Sequence, residues 1–282
     1  MNPSQLVALK TAILQSVSLI QGPPGTGKTR TACAILSTLV ELKNQRQING
    51  GEKSRGQKLQ KIIACAHSNV AADNLLSGLI TLNVPTVRLG KPVSVTSSLW
   101  NYTLDARLQL ESDWIIAKSK LQNIAMNYTD IKTKNMGGEN FGAIQRQLGD
   151  AKKKFEIIEQ KCVSKILHSA DVIVCTCIGA GSDIIRSFAS KELIRFSTVL
   201  VDEAAQCMES ATLPTLVMGC ERLILIGCAR VSVSMFLCIY VCSCSCSYSC
   251  IYVCVCVCMY VRMYVCAYVC MCVCMYVRMY VS

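Results

Sequence analysis

Gly22-Pro23-Pro24-Gly25-Thr26-Gly27-Lys28-Thr29 follows the short apolar run Val17 to Ile20 and opens a helical pattern that continues to about Leu42. A strand, a glycine-bearing loop and a helix in that order leave few folds open to the chain. The spacing fits G-x-x-x-x-G-K-[ST] without a gap, and its glycines let backbone N–H groups close around phosphate oxygens at the start of a helix. In a loop of this kind Lys28 is placed for the β- and γ-phosphates and the Thr29 hydroxyl for a magnesium ion. The whole run from Gly22 to Thr29 is therefore the candidate nucleotide cradle, with ATP and Mg²⁺ as its expected ligands.

Further apolar runs at Lys61 to Ala66, Val84 to Leu89, Asp171 to Cys177, Ser197 to Asp202 and Arg222 to Gly227 read as strands. Val70 to Ile80 reads as a helix, and the polar, basic stretch Asn44 to Gln60 as an exposed loop. Ser98 to Met126 and Ala143 to His168 carry long helical patterns separated by glycines around Gly137-Gly138, which predicts a pair of antiparallel helices. Alternating strands and helices imply an α/β fold with a mostly parallel sheet, here a P-loop NTPase with a helical insertion at about 98–168. Such a sheet gathers its ligand-binding loops at the carboxyl ends of its strands, after Ile20, Ala66, Cys175, Val201 and Ile226.

The candidate chemistry lies at those places. Asp202 ends an apolar run, where its carboxylate is suited to hold the water shell of magnesium. Glu203 next to it is placed to polarise the water that attacks the γ-phosphate. Ser68 and Asn69 follow a strand, either as donors to backbone phosphates of a nucleic acid or as a helix cap. Thr176, with Gly179 and Gly181 behind it, is by composition only a turn. Cys175 and Cys177 read as small core residues because no second pair stands at metal-ligand spacing, and His168 as a structural helix end.

The order of segments Asn2-Pro3-Ser4-Gln5, Gly22 to Thr29, Ala66 to Leu75, Asp171 to Gly181 and Asp202 to Gln206 resembles superfamily 1 helicases, and within them the eukaryotic nonsense-mediated-decay helicase group. The similarity runs over residues 2 to 227 and implies a RecA-like domain, the first of two such domains in these motors. It implies that Gln5 contacts the adenine edge and that Gln206 couples the γ-phosphate to the nucleic-acid side. It also implies that Ser68, Asn69 and Thr176 contact single-stranded RNA or DNA. As bare residues, Gln5 would be an exposed terminal side chain and Gln206 would carry no role. The chain departs from the family at His67, where a proline is usual, and after Gly227, where relatives continue with an Asp and this chain has Cys228-Ala229-Arg230. No second RecA-like domain, which in the family supplies an arginine to the ATP cleft, is expected from the residues that follow.

Composition divides the chain near Arg230. All 18 acidic residues and all but Arg262 and Arg278 of the 29 basic ones precede residue 231, so the net charge of +11 sits mainly on the helicase-like part. That excess suits either a plain basic surface or a polyanionic partner. Eight of the 20 cysteines are also in this part and read as reduced thiols, while residues 1–21 show no secretory leader, so the expected compartment is cytoplasmic or nuclear.

Residues 229–282 are a low-complexity run of Cys, Val, Tyr and Met without an expected fold, in which Cys258 to Val265 recurs unchanged as Cys274 to Val281. A TGTA repeat read in triplets spells Cys, Met, Tyr, Val in this order. Translated microsatellite from an intron or a gene-model error therefore explains the stretch, and no membrane role is assigned to it. A bilayer span, an aggregating strand and a soft-metal site are the other readings. The chain is thus expected to be a truncated ATP-binding motor domain of an ATP-dependent RNA or DNA helicase. Alternatives are a catalytically incompetent nucleotide- or RNA-binding fragment, a non-functional product, or an unrelated P-loop ATPase. No protein partner is legible.

Overall fold

Helix α1 (Pro3–Leu14) starts the chain because three neighbouring residues cap it. Asn2 Oδ1 accepts from the Gln5 backbone N–H at 2.8 Å, and the Asn2 N–H donates to Gln5 Oε1 at 3.0 Å. Pro3 occupies the first turn, where its missing N–H leaves nothing unpaired. The computed structural model describes residues 1–49, 59–90, 95–133, 139–190, 194–207, 211–212, 214 and 220–228. The expected loop between residues 50 and 58, the turn around Gly137-Gly138 and the low-complexity run 229–282 lie outside these.

After α1 come β1 (Val17–Gln21), α2 (Lys28–Asn49), β2 (Leu59–Ala66), α3 (Asn69–Thr81) and β3 (Thr86–Arg88). A 3₁₀ turn (Ser97–Tyr102) and α4 (Leu104–Leu108) lead to the long helices α5 (Ser112–Thr133) and α6 (Glu139–Ser169). The chain then returns through β4 (Val172–Thr176), α7 (Cys177–Ala180), α8 (Asp183–Ser190), β5 (Ile194–Asp202), a 3₁₀ turn (Ala204–Gln206) and β6 (Arg222–Gly227).

The six strands form one sheet in the order β1-β6-β5-β2-β4-β3, and every pairing is parallel. A parallel sheet is buried on both faces, which explains why its strands read as continuous apolar runs rather than alternating ones. Ile62, Ala64 and Ala66 of β2 and Val172 and Val174 of β4 join one core cluster with Ala12 of α1, Ile35 and Leu36 of α2, and Leu75, Leu76 and Leu79 of α3. Their chain neighbours Ile63, Cys65, Ile173 and Cys175 point the other way and are also buried. Helices α2 and α3 touch closely: a Cβ at Gly78 would lie 2.5 Å from Cys33 Sγ, so any larger residue there forces the Cys33 side chain or the helices to shift.

Four expectations need correction. Helix α2 does not stop near Leu42 but runs to Asn49, into the stretch read as a loop, because Lys, Gln and Arg are good helix formers. Lys43 also ties it to the sheet, through an ion pair with Asp171 at 2.6 Å. The first helix of the insertion is broken: the 3₁₀ turn, α4 and α5 replace the single run from Ser98, and Thr103 caps α4 by accepting from Ala106 N–H. Cys177 belongs to α7 rather than to a strand. Helices α1 and α8 were not anticipated. The pairing of α5 with α6 is antiparallel as expected, with Trp114 beside Phe155 at 6.1 Å and Tyr128 stacked on Phe141 at 5.3 Å between ring centroids. No helix among the described residues is long and apolar enough to cross a membrane.

Lys61 is buried in β2, and its ammonium donates to the backbone carbonyls of His168, at 2.8 Å, and Ala170. Burial first, and then the Lys43 charge, push its pKa down from 10.5 to about 8, with Asp171 acting in the opposite sense. Between pH 8 and 10.5 the folded chain has lost a proton that the unfolded chain still holds, so Lys61 contributes stability that grows as pH rises through this window. In urea unfolding, the wild type should therefore gain on Lys61→Met from pH 8 to 10.5 and run parallel to it below pH 8.

Candidate nucleotide site and strand-contacting loops

The loop after β1 turns tightly because two of its residues adopt a left-handed backbone. Gly25 has φ +79 and Gly27 φ +78, conformations that cost a residue with a side chain about 1 kcal/mol or more. Gly22 N–H donates to the Gly227 carbonyl at 3.2 Å, which pins the loop to the end of β6. Thr26 Oγ1 and Lys28 Nζ both donate to the Pro23 carbonyl at 2.8 Å, so the lysine ammonium folds over the hollow of the loop. Pro24 completes the run.

Gln5 is not a free terminal side chain. Its Nε2 donates to the Thr26 carbonyl at 3.0 Å and lies 3.0 Å from where a Cβ of Gly27 would be, so α1 is keyed into the loop. The signal was present in the sequence as the Asn2, Pro3, Gln5 capping set.

Asp202 stands at the end of β5, with β6 between it and the loop strand β1. Its Oδ2 accepts from the Thr29 hydroxyl at 2.8 Å, and its Oδ1 from the Glu203 backbone N–H at 2.9 Å. The carboxylate is only 2% exposed. Burial raises its pKa above the usual value, opposed by the bonds from Thr29 and Glu203 and by the Lys28 charge. Glu203 has φ +54, a left-handed backbone rare for a residue with a side chain and concentrated at functional sites. The 3₁₀ turn after it holds Gln206, whose N–H donates to the Glu203 carbonyl at 2.9 Å while its side chain is exposed. Thr29 and Asp202 thus present oxygens suited to a hard divalent cation, beside a lysine and an open glycine loop suited to a polyphosphate. The residues fit magnesium and a nucleoside triphosphate.

The second expected cluster also lies at the carboxyl edge. Ala66 is in register with both Thr176 and Asp202, so the ends of β2, β4 and β5 are level. Ser68 caps α3, accepting from Ala71 N–H at 3.1 Å, and Thr176 caps α7, accepting from Gly179 N–H at 3.1 Å. Both hydroxyls keep their own proton for another acceptor. His67 in place of proline leaves this cap formed. A cavity of about 1540 Å³ opens over His67, Ser68, Asn69 and Thr176 and is bounded by Lys161 and Lys165 of α6.

Sequence reasoning missed the residues that hold Asn69. Arg88, fully buried, donates from Nε to Asp73 Oδ1 at 3.2 Å, from Nη2 to Asn69 Oδ1 at 3.0 Å, and from Nη1 to the Leu89 carbonyl. Asp73 Oδ2 also accepts from Thr96 N–H and Oγ1, at 2.9 and 2.8 Å. A charged residue inside the run Val84 to Leu89 was the available signal, because a buried arginine requires a partner.

With the geometry in place, comparison with known proteins identifies the group. The protein family described as AAA domain matches residues 1–228. The chain belongs to this family. Residues over 80% of the chain are 32% identical to the DNA polymerase alpha-associated DNA helicase A of Schizosaccharomyces pombe and 33% identical to the ATP-dependent helicase NAM7 of Saccharomyces cerevisiae. They are 30% identical to the regulator of nonsense transcripts 1 homolog of Neurospora crassa. The chain spans 31%, 20% and 18% of the lengths of these relatives. The resemblance to superfamily 1 helicases of the nonsense-transcript group therefore holds, and the all-parallel α/β sheet is the RecA-like P-loop fold that it implied.

Truncating Arg88 leaves Asp73 charged and under-paired in the interior, a loss of about 3 to 5 kcal/mol for a buried pair broken on one side. Arg88→Ala should lower the urea midpoint accordingly, and Arg88→Lys, which keeps the charge without the planar fork, should fall between Arg88→Ala and wild type.

Proposed function

We propose that residues 1–228 are the ATP-binding motor domain of an ATP-dependent RNA or DNA helicase, which binds Mg-ATP in the P-loop and single-stranded nucleic acid over the ends of β2 and β4. The observation that carries this reading is the 2.8 Å bond from Thr29 to Asp202, which joins the first residues of α2 to the end of β5. A chance phosphate loop has no reason to meet a buried carboxylate two strands along the sheet.

In this reading Lys28 leaves the Pro23 carbonyl for the β- and γ-phosphate oxygens, and the N–H groups from Gly25 to Thr29 close on the remaining ones. Thr29 and Asp202 hold the magnesium, which when bound neutralises charge on the transferred phosphoryl group. Glu203 orients the attacking water and accepts its proton, and its strained backbone fixes where the carboxylate stands. Gln206, on the same short turn, reports the γ-phosphate to the nucleic-acid side. Gln5, held against Thr26, meets the adenine edge. Ser68, Thr176 and the Asn69 amide donate to backbone phosphates, the sequence-independent contact a translocating motor uses.

The domain is proposed to span 1–228 with its helical insertion at about 98–168. Rapid hydrolysis in this class draws an arginine from a second RecA-like domain, and such a residue is worth roughly 10³ to 10⁵ in rate. Turnover by residues 1–228 by themselves is therefore expected to be slow. A second reading, a nucleotide- or RNA-binding module without turnover, is favoured by Cys228, which follows β6 beside the P-loop where relatives carry an Asp.

The test is phosphate release from ATP with and without poly(U), next to equilibrium binding of a fluorescent ADP. The motor reading predicts tight binding, slow release accelerated by poly(U), and an affinity loss of about tenfold or more, ~1.4 kcal/mol, in Lys28→Ala. Binding without any poly(U)-dependent release supports the second reading, and absence of ADP binding overturns the motor reading and the nucleotide-binding form of the second.

A further inference from the structure

Four thiols that the nucleotide site does not use converge under its floor. Cys65 and Cys175 face each other across β2 and β4 with their sulfurs 3.6 Å apart, and both are fully buried. Cys177, the first residue of α7, lies 3.6 Å sulfur to sulfur from Cys207, the residue that closes the 3₁₀ turn after Glu203. Cys207 Sγ also lies 3.8 Å from the Glu203 carbonyl. All four are free thiols. Among the described residues no group of three or more His, Cys, Asp and Glu is arranged to hold a metal ion. Cys177 also bonds to the Cys65 thiol, so the four form a chain that contains two sulfur pairs, each with its sulfurs 3.6 Å apart.

The two pairs differ in what they can do. Cys65 and Cys175 sit directly opposite on adjacent core strands, with no access from solvent and no slack in the backbone. Cys207 is only half-buried and lies on a short turn, so an oxidant can reach it and it can move the roughly 1.5 Å needed to close a disulfide of about 2.05 Å. The sharing of a proton between Cys177 and Cys207 also favours reaction. Hydrogen bonds from the Cys207 and Cys65 thiols, with His67 nearby, hold Cys177 well below the usual thiol range, whereas the same bond and burial push Cys207 up.

We infer that Cys177 and Cys207 are a site of reversible oxidative modification, closing to a disulfide with a peroxide as the oxidant. Cys207 passes its proton along the shared hydrogen bond to Cys177, its sulfur attacks one peroxide oxygen, the O–O bond breaks, and the leaving hydroxide takes that proton from Cys177 to become water. The Cys177 thiolate then attacks the resulting sulfenic sulfur, the S–O bond breaks, and a second hydroxide leaves and takes up the remaining proton. Two thiols and one hydrogen peroxide become one disulfide and two waters, and a dithiol reverses the reaction. The bond ties the turn that carries Glu203 and Gln206 to the end of β4 that carries Thr176. That such a tie restrains nucleotide turnover rests on the function proposed for those residues, whereas the bond itself does not.

The experiment treats the full chain with a small excess of hydrogen peroxide, alkylates the remaining thiols and maps them by peptide mass spectrometry. Expected are a linked pair of peptides containing Cys177 and Cys207, lighter by two hydrogens than the sum of the reduced peptides, and equal losses of alkylation at both positions. Cys33 and Cys162 remain alkylated, dithiothreitol restores both reactive thiols, and the linked pair is lost in Cys207→Ser. The inference is overturned if Cys177 and Cys207 stay alkylated while other cysteines oxidise, or if Cys177 links to a different cysteine. Because the readout needs no nucleotide, a negative result here leaves ADP binding untouched, and failure to bind ADP leaves the disulfide untouched.

Discussion

A hydroxyl and a carboxylate, Thr29 and Asp202, set the geometry on which the rest of the candidate site depends. Their bond crosses from the first turn of α2 to the end of β5 and passes over β6. Around it the sheet supplies rigidity: parallel strands of buried aliphatic residues hold the loop ends level, and the Gly22 to Gly227 bond stops the P-loop from lifting off the edge. Burial holds the Asp202 carboxyl above its usual pKa, and Thr29, the Glu203 N–H and the Lys28 charge offset part of that shift.

The candidate nucleic-acid edge is built on a different physical basis. Its loop is fixed from below by Arg88, whose planar fork reaches Asp73, Asn69 and a carbonyl at once. A lysine at that position offers a point charge without this geometry. The arrangement turns the Asn69 side chain so that its oxygen is occupied by Arg88 and its amide hydrogens have no partner among the described residues. The two edges meet at β2, where Ala66 is level with Thr176 on one side and Asp202 on the other.

Much of this was legible in the sequence, for reasons particular to each element. The P-loop was readable because phosphate binding demands glycines at fixed spacing, and Gly25 and Gly27 indeed take the left-handed backbone that such spacing requires. Asp202 and Glu203 taken alone read as a solvated helix start, and only the P-loop upstream turns that reading toward a candidate cation site. Helix α2 was read too short, since polarity was taken as a loop signal although Lys, Gln and Arg extend helices well. Arg88 was missed because periodicity treats a strand as a sum of single residues, whereas a buried charge is defined by a partner fifteen positions away in the chain. The convergence of Cys65, Cys175, Cys177 and Cys207 depends on strand order, which no local pattern contains.

The central claim is that Thr29 and Asp202 form the cation-holding half of a nucleotide site, and calorimetric titration of ADP with magnesium and with excess chelator tests it most directly. The account predicts that magnesium tightens ADP binding to the wild type by about tenfold or more, ~1.4 kcal/mol, and that Asp202→Asn loses this gain while keeping its affinity in chelator. An equal magnesium effect in wild type and Asp202→Asn would contradict it.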